Sequence, residues 1–362
     1  MKKILSFLMT LTMVSQSTLL VISCDAANPE VFGQFETISG VSGLISSVDF
    51  NNNVFYAGNK EGKIYKTNNN QKQKFEEINT KSIDYDLYDF QNLAIDNDNN
   101  LYVGTGAYKD SNNQGRLYKL NTETNQFDEQ KISQKDGLFL EIIRKVFFDK
   151  RTNSLFVAVE GTVYRTRIYK LNRSNGNFDV VAEEESEFFA DLNVTDDNSL
   201  YFATSTMPYE AEDSISTVYK ANPNSPSEPE EVINFLEERG KIITGMADYN
   251  NVVYFSTKNL NDSNSNNIYK INNGNTNKTD IETNWEINEI IFDEEDHIYV
   301  GGSNQALYAG TIVDTNITNF KAISNQFNDI FALNYNQGIV VAGTKNAVLR
   351  AQVKDIIWDK NF

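Results

Sequence analysis

The chain has 362 residues, of which 40% are hydrophobic and 23% charged, and this composition excludes global disorder. The 50 acidic and 32 basic side chains give a formal net charge of -18, which argues against a nucleic-acid partner because such a surface repels phosphate. The chain contains one cysteine, which excludes a disulfide framework and a cysteine-based zinc site. It also contains one histidine, so most histidine-dependent catalytic mechanisms are excluded.

The first residues have the layout of a secretory signal. Lys2 and Lys3 precede an uncharged, largely apolar run that extends to Ser23, and the only cysteine, Cys24, follows directly. A positive segment followed by an apolar segment is typical of signal peptides. A transmembrane anchor is one alternative, but the serine, threonine and glutamine side chains within the run make it a poor spanning segment. A buried structural cysteine is a further alternative.

The residues in front of this cysteine, Val-Ile-Ser at 21–23, resemble the lipobox of bacterial lipoproteins. In that family the cysteine thiol carries a diacylglyceryl group, and the signal is cut in front of it. The resemblance implies a signal peptide over 1–23, lipidation of Cys24 and a short tether over 24–30. It also implies that the membrane is a partner through the lipid anchor, and that the protein resides on the extracellular face of the cell membrane.

A strand hairpin recurs seven times in the remainder of the chain. Its first strand reads VFYAG (54–58), LYVGT (101–105), LFVAV (155–159), LYFAT (200–204), VYFST (253–257), IYVGG (298–302) and IVVAG (339–343). Its second strand reads KIYKTN (63–68), RLYKLN (116–121), RIYKLN (167–172), TVYKAN (217–222), NIYKIN (267–272), ALYAGT (306–311) and AVLRAQ (347–352). A short apolar strand precedes each hairpin, and an outer strand such as NFDVV (177–181) follows it. A repeat of about 40 to 55 residues made only of strands and turns predicts an all-β fold, a seven-bladed β-propeller with four-stranded antiparallel blades.

Residues 31–39 have the character of an outer strand without a blade of their own. The last repeat lacks an outer strand, so pairing the two would close the ring and remove a free strand edge. The tail 355–362 is the alternative closing strand. We favour 31–39, because FETISG and SSVDF mirror FKAIS and FALNY in composition and spacing. The propeller domain is therefore expected to cover 31–362.

The repeats and the amino-terminal signal together resemble β-propeller lipoproteins of the quinoprotein-like or streptogramin-lyase-like superfamily. The asparagine- and lysine-rich, tryptophan-poor composition is similar to that of lipoproteins from wall-less bacteria such as Spiroplasma. The chain departs from both enzyme types. A single histidine does not supply the chemistry of streptogramin lyases, and two tryptophans do not supply a repeated quinone-docking motif. We therefore expect no cofactor and no catalytic residue.

The candidate ligand-binding residues lie where the repeats differ from one another. In a propeller, the connections from an outer strand to the next blade lie on the same face as the connections between the second and third strands of a blade. Several of the connections on this face are long in this sequence. Aromatic rings beside carboxylates in these connections suit sugar stacking or a protein hot spot. The residues are Asp84, Tyr85, Asp86, Tyr88, Asp89, Tyr108 and Tyr209. The alternative is that these rings only pin the loops onto the propeller.

Two polar turns and one repeated dipeptide have structural interpretations. Residues 96–100 begin like a calcium loop, but Leu101 stands where the loop needs glycine, so we expect a plain hairpin turn and no metal site. His297 ends a similar turn without a second histidine, and we expect it to be exposed. The tyrosines of the repeated Tyr-Lys dipeptide are expected to pack between blades, with each lysine solvated on the other face. They are Tyr65, Tyr118, Tyr169, Tyr219 and Tyr269.

The sequence favours a membrane-anchored, extracellular binding protein of the adhesion type. Its expected partner is a host or envelope protein, or a glycan. One alternative is a hydrolase or lyase acting in the central funnel, which requires two carboxylates converging near the axis with perturbed pKa values. The other is an envelope scaffold, which requires an apolar patch on the outer strands.

Overall fold

Seven sheets arranged around one axis form the structure, a computed structural model. It describes residues 35–67, 74–80, 93–105, 115–121, 124–132, 141–161, 165–185, 187–206, 212–225, 227–262, 265–324 and 328–356. All of them belong to one compact unit, Val31–Phe362. In this part of the chain no helix is long and apolar enough to cross a bilayer.

Each blade is one sheet of four antiparallel strands. Blade 1 contains β2 (Ile45–Asn51), β3 (Val54–Asn59), β4 (Ile64–Thr67) and β5 (Phe75–Glu77), and blade 2 contains β6 (Leu93–Ile95), β7 (Leu101–Gly104), β8 (Leu117–Asn121) and β9 (Gln126–Gln130). Blade 3 contains β10 (Glu141–Asp149), β11 (Ser154–Gly161), β12 (Arg165–Asn172) and β13 (Asn177–Glu184). Blade 4 contains β14 (Phe188–Val194), β15 (Leu200–Ser205), β16 (Ser216–Ala221) and β17 (Glu230–Asn234). Blade 5 contains β18 (Lys241–Tyr249), β19 (Val252–Asn259), β20 (Asn266–Asn272) and β21 (Asn275–Thr283). Blade 6 contains β22 (Ile287–Phe292), β23 (His297–Gly302), β24 (Leu307–Val313) and β25 (Asn316–Ser324). Blade 7 contains β26 (Ile330–Asn336), β27 (Ile339–Thr344), β28 (Ala347–Gln352) and β1 (Glu36–Ile38). A 3-10 turn, Val353–Asp355, follows β28. The predicted seven-bladed propeller with four-stranded antiparallel blades is confirmed.

The last blade takes its outer strand from the start of the domain. β1 pairs antiparallel with β28, with Glu36 opposite Arg350 and Ile38 opposite Val348. Arg350 also forms an ion pair with Glu36, at 3.0 Å between Nη2 and Oε2. β1 lies within the 31–39 segment that the sequence favours for closure, and it covers an edge of β28 that would otherwise be unpaired.

Short turns join the first two strands of each blade, because asparagine there adopts the left-handed backbone conformation that tight turns require. Asn99, Asn153 and Asn198 have φ angles of 62°, 53° and 62°. Gly338 serves the same purpose in blade 7, with a φ of 75°.

The core consists of hydrophobic clusters, each lying between two neighbouring blades. One cluster joins Tyr56 and Ile64 of blade 1 to Tyr118 of blade 2, and another joins Phe156 of blade 3 to Tyr219 of blade 4. The repeated tyrosines are all buried, which confirms that they pack between blades: Tyr65, Tyr118, Tyr169, Tyr219 and Tyr269.

The lysine that follows each of these tyrosines is half-buried, so it is only partly solvated, and in several blades it also contacts an aromatic ring. Lys66 Nζ lies 5.6 Å from the centroid of the Tyr56 ring on the neighbouring strand. Lys119 and Tyr102 repeat the arrangement at 5.7 Å. The long aliphatic stem lets the lysine cover an aromatic face while its ammonium reaches water.

Candidate functional site

The residues predicted to bind a ligand all lie outside the described residues, as does the lipidation candidate Cys24. This holds for Asp84, Tyr85, Asp86, Tyr88, Asp89, Tyr108 and Tyr209. The described strands do locate the ends of their connections: β5 ends at Glu77 and β6 begins at Leu93, while β7 ends at Gly104 and β8 begins at Leu117. Because neighbouring strands alternate in direction, these ends share the face opposite the asparagine turns.

An axial channel is the main cavity that the described residues enclose. Its volume is about 550 Å³, and the innermost strands of all seven blades line it. Charged side chains of both signs face it: Asp49, Asp149, Asp191, Asp248, Glu289, Lys60, Arg144, Lys145, Lys150 and Arg151. The channel therefore combines concavity with titratable groups, the combination that marks a candidate site.

Two carboxylates converge on Lys145 within the channel. Lys145 Nζ donates to Asp191 Oδ1, which also accepts the backbone N–H of Leu192 at 2.8 Å. The other oxygen of Asp191 accepts the N–H of Met246 at 2.7 Å. Asp191 lies in blade 4 and Met246 in blade 5, so backbone groups of two blades position this carboxylate.

Glu289 is the second of these carboxylates, and it differs from Asp191 in its bonding. Within the described part of the chain it makes no hydrogen bond. Burial raises the pKa of Glu289 to about 8, the charge of Lys145 opposes this shift, and the charge of Asp191 adds to it. Glu289 is therefore mostly protonated at neutral pH, whereas its neighbour Asp191 is held in an ion pair.

Arg144, next to Lys145, is engaged with a different carboxylate. Its Nε and Nη2 lie 3.1 and 2.8 Å from the two oxygens of Glu160. Glu160 Oε2 also accepts the N–H of Phe189 at 3.3 Å, which connects blade 3 to blade 4. This bidentate geometry leaves Glu160 fully paired despite its burial.

Arg151 bridges three blades at the end of the channel nearest the asparagine turns. It lies in the turn after β10, and its Nε is 3.1 Å from Asp149 in the same blade. Its Nη1 and Nη2 donate to Asp248 of blade 5 at 2.8 and 3.2 Å. It also donates to Asp196 and to the carbonyl of Val194 in blade 4. Burial raises the pKa of Asp248 to about 6 in spite of Arg151.

Asp49 completes the set of channel carboxylates. It accepts the N–H groups of Phe50 and Ile95, both at 2.7 Å, and the Nδ2 of Asn334 at 3.1 Å. Burial raises the pKa of Asp49, with Lys150 at 3.9 Å opposing the shift. These bonds join blades 7, 1 and 2.

Hydrogen bonds also link neighbouring blades at the other blade boundaries. Thr244 donates to the carbonyl of Ile287 at 2.6 Å, and Asn288 donates to the carbonyl of Ile330 at 2.7 Å. Between blades 2 and 3 the link is a backbone bond from Ile143 to Thr105, at 3.2 Å. The channel walls are thus cross-linked around the ring, which holds the charged side chains in fixed positions.

The structure overturns the expectation that His297 is an exposed turn residue. Its exposed fraction is 8%, and its Nδ1 lies 2.8 Å from Asp293 Oδ2. The same carboxylate accepts the hydroxyl of Tyr299 at 2.8 Å and the backbone N–H groups of His297 and Glu295 at 3.0 and 2.8 Å. Burial acts against ionisation, but the bonds from His297 and Tyr299 outweigh it and lower the pKa of Asp293.

Asp96 closes the equivalent turn of blade 2, as the hairpin interpretation predicts. Its Oδ1 accepts the N–H groups of Asp98 and Asn100 at 3.0 and 2.9 Å. Its Oδ2 accepts the Nδ2 of Asn100 at 2.9 Å. The carboxylate is therefore occupied by its own turn. Over the described ranges, no group of three or more histidine, cysteine, aspartate and glutamate side chains is placed to hold a metal ion.

Sequence reasoning missed the channel residues, although one signal for them exists. Arg144, Lys145, Asp191 and Glu289 stand inside short, mainly apolar strands, where a charged side chain is costly unless it is paired or faces a cavity. Their convergence was hidden because each lies in a different repeat or at a different position in its repeat.

Comparisons with known proteins show the fold alone. No protein-family model matches the chain, and no curated protein sequence matches it. Among solved structures it is similar to the WD40 β-propeller domain of Doa1, with 9% identity and a TM-score of 0.60 over 88% of this chain and 97% of that one. It is also similar to YCF48 bound to D1 peptide, with 11% identity and a TM-score of 0.59 over 88% and 96% of the two chains.

A third similar structure is the extracellular domain of the putative one component system BT4673 from B. thetaiotaomicron. The identity is 13% and the TM-score 0.62, over 88% of this chain and 40% of that one. At such identities these structures support a β-propeller, in agreement with the seven blades observed here.

Proposed function

We propose that the chain is a membrane-anchored, extracellular binding protein of the adhesion type. Its ligand is a host or envelope macromolecule or a glycan, and the face with the long connections recognises it. The observation that carries the proposal is the inequality of the two faces. The longest connections lie on one face, from Glu77 to Leu93, from Gly104 to Leu117 and from Ser205 to Ser216, whereas the longest connection on the other face is the eight-residue one between Ala221 and Glu230.

The turn face is poorly suited to recognition because its polar groups already satisfy one another. Asp96 and Asp293 accept bonds within their own turns, and Arg151 is occupied by Asp149 and Asp248. In the sequence, the predicted aromatic and acidic residues fall between strands whose described ends lie on the opposite face, and long loops on a rigid scaffold are where binding residues concentrate.

Two of the similar structures support a binding role in general terms. One, YCF48, is bound to a peptide, and another is an extracellular domain. These are properties of those two proteins, and the ligand proposed for this chain is inferred from its own residues.

Deletion of residues 84–90, replaced by a short glycine-serine linker, tests the recognition face. We expect saturable binding of the labelled protein to intact host cells to fall at least tenfold, because the deletion removes the densest group of aromatic and acidic side chains in the connections. Thermal unfolding should be unchanged. Prior removal of cell-surface glycans separates a sugar ligand from a protein ligand.

The matched control for this deletion is the Asn224→Ala, Glu228→Ala double variant, which alters the turn face of blade 4. It should bind as the unaltered protein does. Equal binding by the deletion variant and the unaltered protein, or no binding by the unaltered folded protein, would refute the proposal.

The anchor has a separate test in the variant Cys24→Ser. This variant keeps the apolar segment but lacks the thiol that would carry the lipid. We expect the protein to lose metabolic labelling with palmitate and to leave the detergent-soluble membrane fraction. Retention of the label in Cys24→Ser would contradict lipidation at this residue.

A hydrolase or lyase in the channel is the second candidate, and one specific observation favours it. Asp191 and Glu289 converge on Lys145, and burial raises the pKa of Glu289 to about 8. The two carboxylates that the alternative requires are thus close together, one of them has a raised pKa, and a protonated Glu289 has the properties of a general acid. Loss of turnover in Glu289→Gln, with cell binding intact, would identify this activity.

The scaffold alternative has less support from the described surface. Its large exposed hydrophobic side chains are Leu236 and Val313, exposed by 49% and 50% and located in different blades. Single exposed apolar residues are ordinary on protein surfaces.

A further inference from the structure

We propose that the axial channel is a binding site for a small organic cation, with the carboxylate of Glu289 as its charge partner. The site is distinct from the loop face invoked above, and the inference stands independently of that function. It rests on the pairing of the channel charges, on the shape of the cavity and on the rings that line it.

The channel holds more carboxylates than cations once the partners of its arginines are included. Among the described lining residues the cations are Lys60, Arg144, Lys145, Lys150 and Arg151, and the carboxylates are Asp49, Asp149, Asp191, Asp248 and Glu289. Glu160 bonds to Arg144, and Asp196 bonds to Arg151. Counted with these two partners, seven carboxylates stand against five cations when all of them are ionised.

Glu289 is the channel carboxylate that forms no ion pair of its own among the described residues. Lys145 is bound to Asp191, Arg144 to Glu160, and Arg151 to the aspartates around it. Within the described ranges only Lys145 and Asp191 act electrostatically on Glu289, and they offset each other because they form an ion pair. A cation that enters the channel has this one carboxylate to pair with.

The raised pKa values of three channel carboxylates show that burial disfavours their charged form. Burial raises the pKa of Glu289 to about 8 and that of Asp248 to about 6, and it also raises the pKa of Asp49. A buried carboxylate keeps its proton when no positive charge compensates it. A bound cation would reverse this for Glu289, so binding would release a proton.

An organic ammonium fits this site better than a metal ion. Divalent calcium and magnesium need several oxygen ligands around one point, whereas both oxygens of Asp191, the carboxylate beside Glu289, already accept hydrogen bonds from Lys145 and from backbone N–H groups. Rings line the same cavity, including Phe147, Phe292, Phe331 and Tyr335. Lys145 Nζ already lies 5.9 Å from the centroid of the Phe147 ring, so an ammonium and an aromatic face meet there. The volume of about 550 Å³ is that of a small-molecule pocket.

Isothermal titration of the full chain in detergent tests the inference, with n-butylammonium, 1,4-diaminobutane and choline as probes. Neutral n-butanol serves as the control ligand. Titrations in buffers of different ionisation enthalpy measure the protons released. With a Glu289 pKa of about 8, we expect release of roughly 0.9 proton per bound cation at pH 7. Affinity should rise about 50-fold from pH 6 to pH 8, because the cation binds the deprotonated carboxylate.

The variant Glu289→Gln should weaken cation binding at least tenfold and abolish the proton release. Glu286→Gln is its matched control, because Glu286 lies in the same blade and pairs with Lys258 at 2.9 Å on the rim. It should leave both unchanged, and circular dichroism should show that both variants are folded. No saturable binding of any cation, equal binding of n-butanol, or pH-independent binding that survives in Glu289→Gln would each overturn the inference.

Discussion

Replacing Asp293 with alanine is expected to lower the free energy of unfolding by about 4 kcal/mol. The carboxylate accepts bonds from the side chains of His297 and Tyr299 and from two backbone N–H groups, and only 3% of Asp293 is exposed. Alanine would leave these buried donors without an acceptor, and each such loss costs about 1–3 kcal/mol. Urea unfolding at pH 7 measures the change.

Two further variants provide stability losses with which that of Asp293→Ala can be compared. Tyr299→Phe removes one bond to the carboxylate and should cost about 1.5 kcal/mol, well below the loss for Asp293→Ala. Glu295→Gln alters an exposed residue of the same turn and should leave the unfolding midpoint unchanged. A loss in Asp293→Ala no larger than that in Glu295→Gln would contradict the structural role assigned to this carboxylate.

The same residue predicts a dependence on pH. The bonds from His297 and Tyr299 hold the pKa of Asp293 below its ordinary value of 3.8, even though burial acts in the opposite direction. A group with a lowered pKa contributes stability that is present above its unfolded-state pKa and is lost as the pH falls through its folded-state pKa. The difference in stability between the unaltered protein and Asp293→Ala should therefore shrink below about pH 4.

Arg151→Met is the second variant for which we expect a large effect, a loss of about 3 kcal/mol. Its guanidinium bridges Asp149, Asp196 and Asp248 across three blades. The side chain of Asp248 is 8% exposed, so removal of its partner leaves a nearly buried carboxylate uncompensated. The arginine itself is 41% exposed, and solvent screening keeps the loss at the lower end of the range for buried pairs.

The stability deficit of this variant also shrinks as the pH falls, but it does so in a higher pH range than that of Asp293→Ala. Burial raises the pKa of Asp248 to about 6, and removal of Arg151 raises it further. A carboxyl group with a raised pKa favours the folded state at low pH and disfavours it as the pH rises through that pKa. The deficit of Arg151→Met should therefore be larger at pH 7.5 than at pH 5.

A double variant and a matched control complete the test. Asp248→Asn removes the stranded charge, so Arg151→Met should cost at least 1 kcal/mol less in the Asp248→Asn background. Arg173→Met removes another arginine from the same face, where Asp96 and Asp98 lie at 3.7 and 3.6 Å, and should cost no more than about 1 kcal/mol. Equal losses in Arg151→Met and Arg173→Met would show that the three-blade bridge adds no stability.

Periodicity made the blades predictable. In the repeated Tyr-Lys strands the tyrosine is buried and the lysine half-buried, and the tyrosines occupy the blade boundaries because similar repeats bury similar faces against one another. The turns were predictable for a related reason. Residues such as Asn99 and Asn153 tolerate the left-handed backbone conformation of a tight turn, which is a local property of the residue type.

His297 shows where local reasoning was wrong. Its turn is polar and its chain neighbours Glu295 and Asp296 are exposed, so the surrounding sequence suggested an exposed position. The side chain is buried because Asp293 and Tyr299, four residues before it and two after, share one hydrogen-bonded group with it. The bond between His297 and Asp293 forms because the hairpin places the start of β23 beside the end of β22.

The architecture could be read from the sequence, because the number of blades, the strand order and the turns follow from short-range periodicity and residue type. The positions at which charges meet depend on the three-dimensional fold. Lys145, Asp191 and Glu289 come from blades 3, 4 and 6, and they share one cavity because the ring directs its innermost strands towards one axis. Pairing, burial and the pKa of Glu289 depend on distances between residues remote in sequence, and only the closed ring sets those distances.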